Sequence, residues 1–202
     1  ENRFTGWKDV DLTALGISQA KEASKLLAGH NFDLAFTSNL IRAQKTLDII
    51  LNELGINLDI VRNEALNERD YGDLVGQNKD EAAKKFGKDQ VQIWRRSFST
   101  PPPSGESLEM TRDRTVPYFN SVIKPYLSNG KNIILSAHGN SIRSIVMELF
   151  NYNPEKILKT EIGWCEPLVY TFNDSVEVID FELIARASEP SKSHFPEYKL
   201  FF

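Results

Sequence analysis

Short apolar runs alternate along the chain with longer stretches whose apolar residues recur every three or four positions. Leu34-Ala35-Phe36, Leu58-Asp59-Ile60-Val61 and Asn132 to Ala137 are strand-length, and the last, with its Ile-Ile-Leu centre, carries the strongest signal. Ala20, Ala23, Leu26 and Leu27 form an apolar stripe that predicts a helix from Ser18 to Ala28, stopped by Gly29. Ala43, Leu47, Ile50 and Leu51 predict another from Ile41 to Glu53, closed by Gly55. Helices are also predicted over Lys79–Phe86, over Val91–Trp94 with its flanks, and over Ile142–Phe150. A long one should run from Leu108 to Leu127, broken or kinked near Pro117 and Pro125. Leu66–Leu74 reads as an ordered loop and Ser97–Glu106, with its proline run, as another. Leu168–Phe172 and Val176–Phe181 read as strands around an Asn173-Asp174 turn, and little regular structure is expected beyond Ala187.

Strands alternating with helices predict an α/β fold, a three-layer α/β/α sandwich with a mainly parallel sheet. The 202 residues suit one domain over 1–202 with an irregular tail. No apolar run approaches the ~20 residues of a membrane helix. The lone cysteine, Cys165, excludes an internal disulfide and fits a reducing, cytoplasmic setting, where it should be a packed thiol. A net charge of −4 argues against a nucleic-acid partner. It leaves open a small anion, because a few arginines in one cleft can dominate the local field.

Ligands of open α/β sheets bind beyond the carboxyl ends of the strands. His138-Gly139-Asn140-Ser141 follows the strongest strand there, and the next helix would offer free N–H groups to an anion. Ser38, just ahead of Arg42, stands at another strand end. Glu68, in the polar loop Leu66-Asn67-Glu68-Arg69-Asp70-Tyr71-Gly72, is either solvated or a proton relay. Arg42, Lys79, Arg95 and Arg96 are singly ordinary surface charges. Converging with a histidine, they would suit a doubly charged phosphate ester. His30 and His194 read as solvent-facing, and Phe119, Tyr126 and Phe150 as core. There is no P-loop, zinc-spaced Cys/His set or Gly-x-Ser-x-Gly elbow, which weakens metal-dependent and triad-hydrolase readings.

Several motifs occur in one order. They are Asn2-Arg3-Phe4-Thr5-Gly6-Trp7, Phe36-Thr37-Ser38 with Arg42-Ala43, Leu66-Asn67-Glu68-Arg69 with Tyr71-Gly72, Asn78-Lys79, Trp94-Arg95-Arg96-Ser97, Gly105-Glu106-Ser107-Leu108 and Ala137-His138-Gly139-Asn140-Ser141. Together they resemble the cofactor-dependent phosphoglycerate mutases of the histidine phosphatase superfamily, closely to Phe150 and more loosely to Phe181. The resemblance implies metal-free interconversion of 3-phosphoglycerate and 2-phosphoglycerate through a phosphohistidine, primed by 2,3-bisphosphoglycerate. It implies a homo-oligomer, most usually a dimer. It also assigns roles: Glu68 as general acid/base, His138 and Arg42 on the phosphoryl group in flight with Asn140 as a nearby donor, and Thr5, Gly6, Tyr71, Lys79, Arg95 and Arg96 on the rest of the substrate.

The sequence departs from that pattern in three places. The family's opening strand ends in Arg-His-Gly-Glu-Ser, whose histidine is the nucleophile. Nothing here matches it, and His30 and His194 lie in the wrong context. The expectation is a natural chain with about 20 further residues before Glu1, and an inactive polypeptide without them. The Ser97–Glu106 loop is shorter than in long-form mutases. Ile162-Gly163-Trp164-Cys165-Glu166-Pro167 replaces a Thr-Gly-x-Pro pattern. Two rivals therefore stand: a bisphosphoglycerate mutase or phosphatase of the same superfamily, and a non-catalytic phosphoanion-binding pseudoenzyme.

Overall fold

Leu34–Thr37 (β1), Ile60–Arg62 (β2) and Ile133–Ser136 (β3) form a parallel sheet in the order β2-β1-β3 in a computed structural model of the protein. The structure describes residues 2–201; Glu1 and Phe202, the outer bounds of the expected domain and tail, lie outside the described residues. Phe36 lies opposite both Val61 and Leu135, and the Thr37 hydroxyl donates to the Ser136 carbonyl at 2.8 Å, which locks the register at the carboxyl end. Ala35 and Phe36 are wholly buried because helices cover both faces of the central strand.

On one face lie α1 (Ala14–Leu26) and α2 (Ile41–Leu54), which bury Ala23, Leu27, Leu47, Ile50 and Leu51 against Ala35 and Ile134. α1 begins four residues earlier than the apolar stripe indicates, because the Thr13 hydroxyl caps it by accepting the Gly16 N–H. Its C-cap is Leu27 rather than Gly29, whereas α2 closes on Gly55 in the left-handed conformation. β2 starts at Ile60 rather than Leu58; Leu58 packs against the α1–α2 cluster instead.

The expected long helix is three segments. α5 (Leu108–Tyr118) contains Pro117, Phe119–Ile123 is a π turn, and α6 (Lys124–Ser128) follows. The break falls after Pro117, next to Pro125, which has no N–H to give and sits in the first turn of α6. Phe119 and Ile123 fill the other face of the sheet beside Phe36, Leu66 and Ile145, the last from α7 (Gly139–Leu149). Tyr126, expected in the core, is 42% exposed. α3 (Lys79–Phe86) matches its expected span, while α4 covers Lys88–Arg96, longer than the stripe at Val91–Trp94. The loop before them holds two single 3-10 turns, Glu64–Leu66 and Gly72–Leu74. A short helix that the hydrophobic pattern hides, α8 (Pro154–Lys159), is built from local capping, with Asn153 accepting the Lys156 N–H.

β4 (Leu168–Phe172) and β5 (Val178–Leu183) form a separate antiparallel hairpin. Val176 adopts φ +58 and belongs to the turn, not the strand. The residues after Ala187 contain no helix or ladder strand among those described, yet they pack closely. Tyr198 stacks on Phe150 at 4.6 Å, and Phe195 sits edge-on to Phe181 at 5.0 Å. Glu166, buried among them, accepts from the Ser191 and Ser193 hydroxyls. No described helix is long and apolar enough to cross a membrane.

Candidate active site

The carboxyl ends of β1 and β3 lie side by side, so the residues that follow them, Ser38 and His138, meet: the Ser38 Oγ is 2.8 Å from the His138 Nε2. His138 is the N-cap of α7 and only 8% exposed. Burial dominates its protonation and drops its pKa to about 4, against the pull of the Glu68 carboxylate; Arg42 and Arg114 add to the drop. The imidazole is therefore neutral at pH 7.

Glu68 arrives from the loop between β2 and α3, and its carboxylate sits at the start of α7. Its Oε1 accepts from the Asn140 Nδ2 at 2.8 Å, the Asn140 N–H at 3.3 Å and the Arg69 N–H at 2.6 Å. Free N–H groups at a helix start favour an anion, so α7 receives this side chain as it would a ligand. Burial works to raise the Glu68 pKa, but His138, Asn140 and Arg69 outweigh it and hold the group below the ordinary carboxylate range.

Arg42 stands in the first turn of α2, whose end is capped by Asp9: the Asp9 carboxylate accepts the Ile41 N–H at 2.7 Å. The Arg42 guanidinium donates to the Gly6 and Lys8 carbonyls at 2.9 and 3.1 Å, which binds it to the Thr5–Lys8 turn. Gly6 has φ +50, and a Cβ there would stand 3.1 Å from the Tyr71 nitrogen, so the turn requires glycine. The segment is anchored by Phe4, which is 1% exposed and packs against Tyr71, Leu74 and Ala82.

Thr5, Gly6, Arg42, Glu68, Tyr71 and Lys79 line one cleft of about 250 Å³, together with Arg3, Phe4 and Trp164. His138 and Asn140 are not in the lining set, but both act on Glu68, which is. Arg95 and Arg96, at the end of α4, are outside the lining set but close enough to act on Lys79. Burial is the main reason its ammonium is depressed, and repulsion from the two arginines adds to it.

Several residues that organise this site carry no periodic signal. Arg69 is 2% exposed and donates to the Trp94 carbonyl, the Arg95 carbonyl and the Tyr71 hydroxyl at 3.3, 3.2 and 2.9 Å. It thus closes the carbonyl end of α4 and fixes where Arg95 and Arg96 emerge. Arg114 on α5 is paired with Glu106 and donates to four carbonyls, those of Glu64, Ala65, Asn67 and Glu68. Trp7 donates to the Glu68 carbonyl as well. Arg143, one turn along α7 from Asn140, pairs with Glu161, which also pairs with Arg96. Of this group, Trp7, Arg69 and Glu106 lie inside recognised motifs, whereas nothing in the sequence pointed to Arg114, Arg143 or Glu161.

What the fold and the cleft define together is an α/β protein with a cleft lined by Arg3, Arg42, Lys79 and Glu68 and a Ser38–His138 pair at the carboxyl edge of a parallel sheet. The family model of the histidine phosphatase superfamily (branch 1) matches residues 1–181, and the chain belongs to that superfamily. The 2,3-bisphosphoglycerate-dependent phosphoglycerate mutase of Nitrobacter hamburgensis is 52% identical over 181 residues, covering 88% of this chain and 87% of the relative. The enzyme of the same name from Rhizobium meliloti is 49% identical over 191 residues, covering 93% and 90%. Among solved structures, a mycobacterial glucosyl-3-phosphoglycerate phosphatase superposes with a TM-score of 0.75 at 22% identity, over 93% of both chains. The α-ribazole phosphatase of Shigella flexneri gives 0.73 at 21% identity, over 95% of this chain and 92% of that one. These two likenesses bear on the fold alone.

Proposed function

We propose that the protein interconverts 3-phosphoglycerate and 2-phosphoglycerate by the phosphohistidine route of the mutases it resembles, with 2,3-bisphosphoglycerate as phosphoryl primer. The observation that carries this reading is the Glu68 carboxylate, held ionised at the start of α7 beside a neutral His138 and facing a cleft lined by Arg42 and Lys79.

Phosphoryl transfer is mainly positioning and charge stabilisation. Arg42 grips the phosphoryl oxygens, its guanidinium pre-set by the Gly6 and Lys8 carbonyls. His138 donates one N–H to the same group. Glu68 takes the proton of the substrate hydroxyl as its oxygen attacks phosphorus, and returns it when the second phosphoryl group leaves. Thr5, Gly6, Tyr71, Lys79, Arg95 and Arg96 hold the acid's carboxylate and remote phosphate. A doubly phosphorylated acid suits this concentration of cations, and when bound it supplies the phosphoryl group that primes the enzyme.

The covalent step needs a second imidazole opposite His138. His30 follows α1, ahead of β1 and so at the opposite end of the sheet from the cleft, and His194 belongs to the tail, where its backbone pairs with Glu161. In this reading the nucleophile comes from a further strand along the edge of β3 that no described strand occupies. The test is a coupled assay on 3-phosphoglycerate, with and without 2,3-bisphosphoglycerate, for the 202-residue polypeptide and for one extended through the upstream reading frame. Turnover by the extended form alone, dependent on the primer, is expected. Primer-independent release of inorganic phosphate would replace the mutase with a phosphatase. Tight phosphoglycerate binding without turnover by either form would leave the pseudoenzyme.

A further inference from the structure

One carboxylate sits between two guanidinium groups, one of which, Arg96, is near enough to the cleft to repel Lys79. The Glu161 Oε1 accepts from the Arg96 Nη1 at 2.7 Å, and its Oε2 from the Arg143 Nη2 at 2.9 Å. This is how a phosphate or a substrate carboxylate would be gripped. We infer that Glu161 is an internal competitor for the anion site: it pairs with Arg96 and Arg143, and an incoming acid must displace it to reach them.

The two arginines are unequal. The Arg143 side chain is only 14% exposed, its Nε is buried without a hydrogen-bond partner among the described residues, and it makes a further, long 3.5 Å contact to the Asn140 Oδ1. Its charge needs an anion at this position, and Glu161 is the carboxylate that serves it. Asn140 in turn holds Glu68, so an anion that replaced Glu161 would join the hydrogen-bond chain that ends on the proposed acid/base. Arg96 is half exposed and close enough to Lys79 to act on its charge.

Glu161 itself is built to leave. Its side chain is 46% exposed, so releasing it to water costs little desolvation. Its backbone stays fixed, because Glu161 and His194 exchange N–H···O bonds of 2.9 and 2.8 Å. Only the side chain has to swing. A doubly charged phosphate outcompetes a single carboxylate for two guanidinium forks, whereas a monoanion does not. Glu161 thereby sets a charge threshold on what binds, making it a specificity-determining residue for the reaction proposed above, on which this inference rests.

The test is calorimetry of wild type and Glu161→Gln with 3-phosphoglycerate and, separately, with inorganic phosphate. The variant is expected to bind both more tightly, by roughly three- to tenfold, and in the active form to show a lower KM with kcat unchanged. Glu161→Asp, which keeps the charge, should stay near wild type. Equal or weaker binding by Glu161→Gln would overturn the inference and make Glu161 a support for the two arginines. A wild type that binds inorganic phosphate but not 3-phosphoglycerate would defeat the functional reading, and the phosphate titration would still decide the role of Glu161. Should Glu161→Gln not fold, carboxyl-labelled wild type gives the answer. The Glu161 carboxyl resonance should move to that of a solvated glutamate at phosphate saturation, and a resonance that stays put refutes displacement.

Discussion

The Ser38 hydroxyl bridges two adjacent parallel strands by lying 2.8 Å from the His138 Nε2 while also accepting the Leu40 N–H at 3.1 Å. Both side chains are buried, so the contact is shielded from water. Ser38→Ala leaves a buried imidazole nitrogen and a buried N–H without this partner. A loss of about 1–3 kcal/mol in folding stability is expected, measured as a lower urea midpoint at unchanged m-value.

The pH dependence of stability follows from the same imidazole. Its folded pKa of about 4 lies below the ordinary 6.5, so its contribution is complete above pH 6.5 and is lost as pH falls toward 4. The difference amounts to about 3 kcal/mol across that window. Glu68, also held low, loses its contribution at lower pH still, below the ordinary carboxylate value. Melts of wild type and His138→Gln between pH 7 and pH 4 should converge on acidification. A constant gap would show that His138 does not cause the loss.

Ligand binding can be read without turnover. At a 3-phosphoglycerate concentration about 100 times its Kd, mass action raises the melting temperature by roughly 5–10 °C in a chain of this size. Arg42→Ala should abolish most of that shift while the unliganded melt moves much less, since Arg42 is only half-buried. A shift that survives in Arg42→Ala would place the anion elsewhere.

Arg69→Lys keeps the charge but loses the planar fork that reaches two carbonyls of α4 and the Tyr71 hydroxyl. A loss of about 2–3 kcal/mol is expected. Substrate affinity should weaken too, because Arg95 and Arg96 are positioned through those carbonyls.

Gly72→Ala should be among the most damaging single substitutions. Gly72 has φ +51, and a Cβ there would lie 2.2 Å from the Pro103 carbonyl oxygen and 2.4 Å from the Gly105 nitrogen. All of these are backbone atoms of an adjoining loop and cannot step aside. A loss of more than about 2 kcal/mol is expected, visible in the thermal melt.

The sheet and its flanking helices were legible because β1 and β3 are short apolar runs and α2 buries Ala43, Leu47, Ile50 and Leu51 at helical spacing. α8 escaped because a six-residue helix held by Asn153 and Pro154 displays no stripe. The break between Pro117 and Pro125 was legible from the prolines themselves, but its form as a π turn at Phe119–Ile123 was not, because a hydrophobic pattern does not encode how carbonyls ahead of a proline are served. In the site, His138, Glu68 and Arg42 were legible from their places at strand ends and in ordered motifs. Arg114, Arg143 and Glu161 were not. Each sits on a helix or connection as an unremarkable charge, and its importance comes from partners such as Glu68, 46 positions away from Arg114. Long-range pairing of single polar residues leaves no local trace.

The aromatic cluster of Phe150 and Phe181 is completed by Phe195 and Tyr198, which follow every described strand in sequence. The three-stranded sheet can assemble as soon as β3 has left the ribosome, but this second cluster must wait with its rings exposed. The molecule thus consolidates in two stages, and the interval between them is when chaperones and proteases have most to hold.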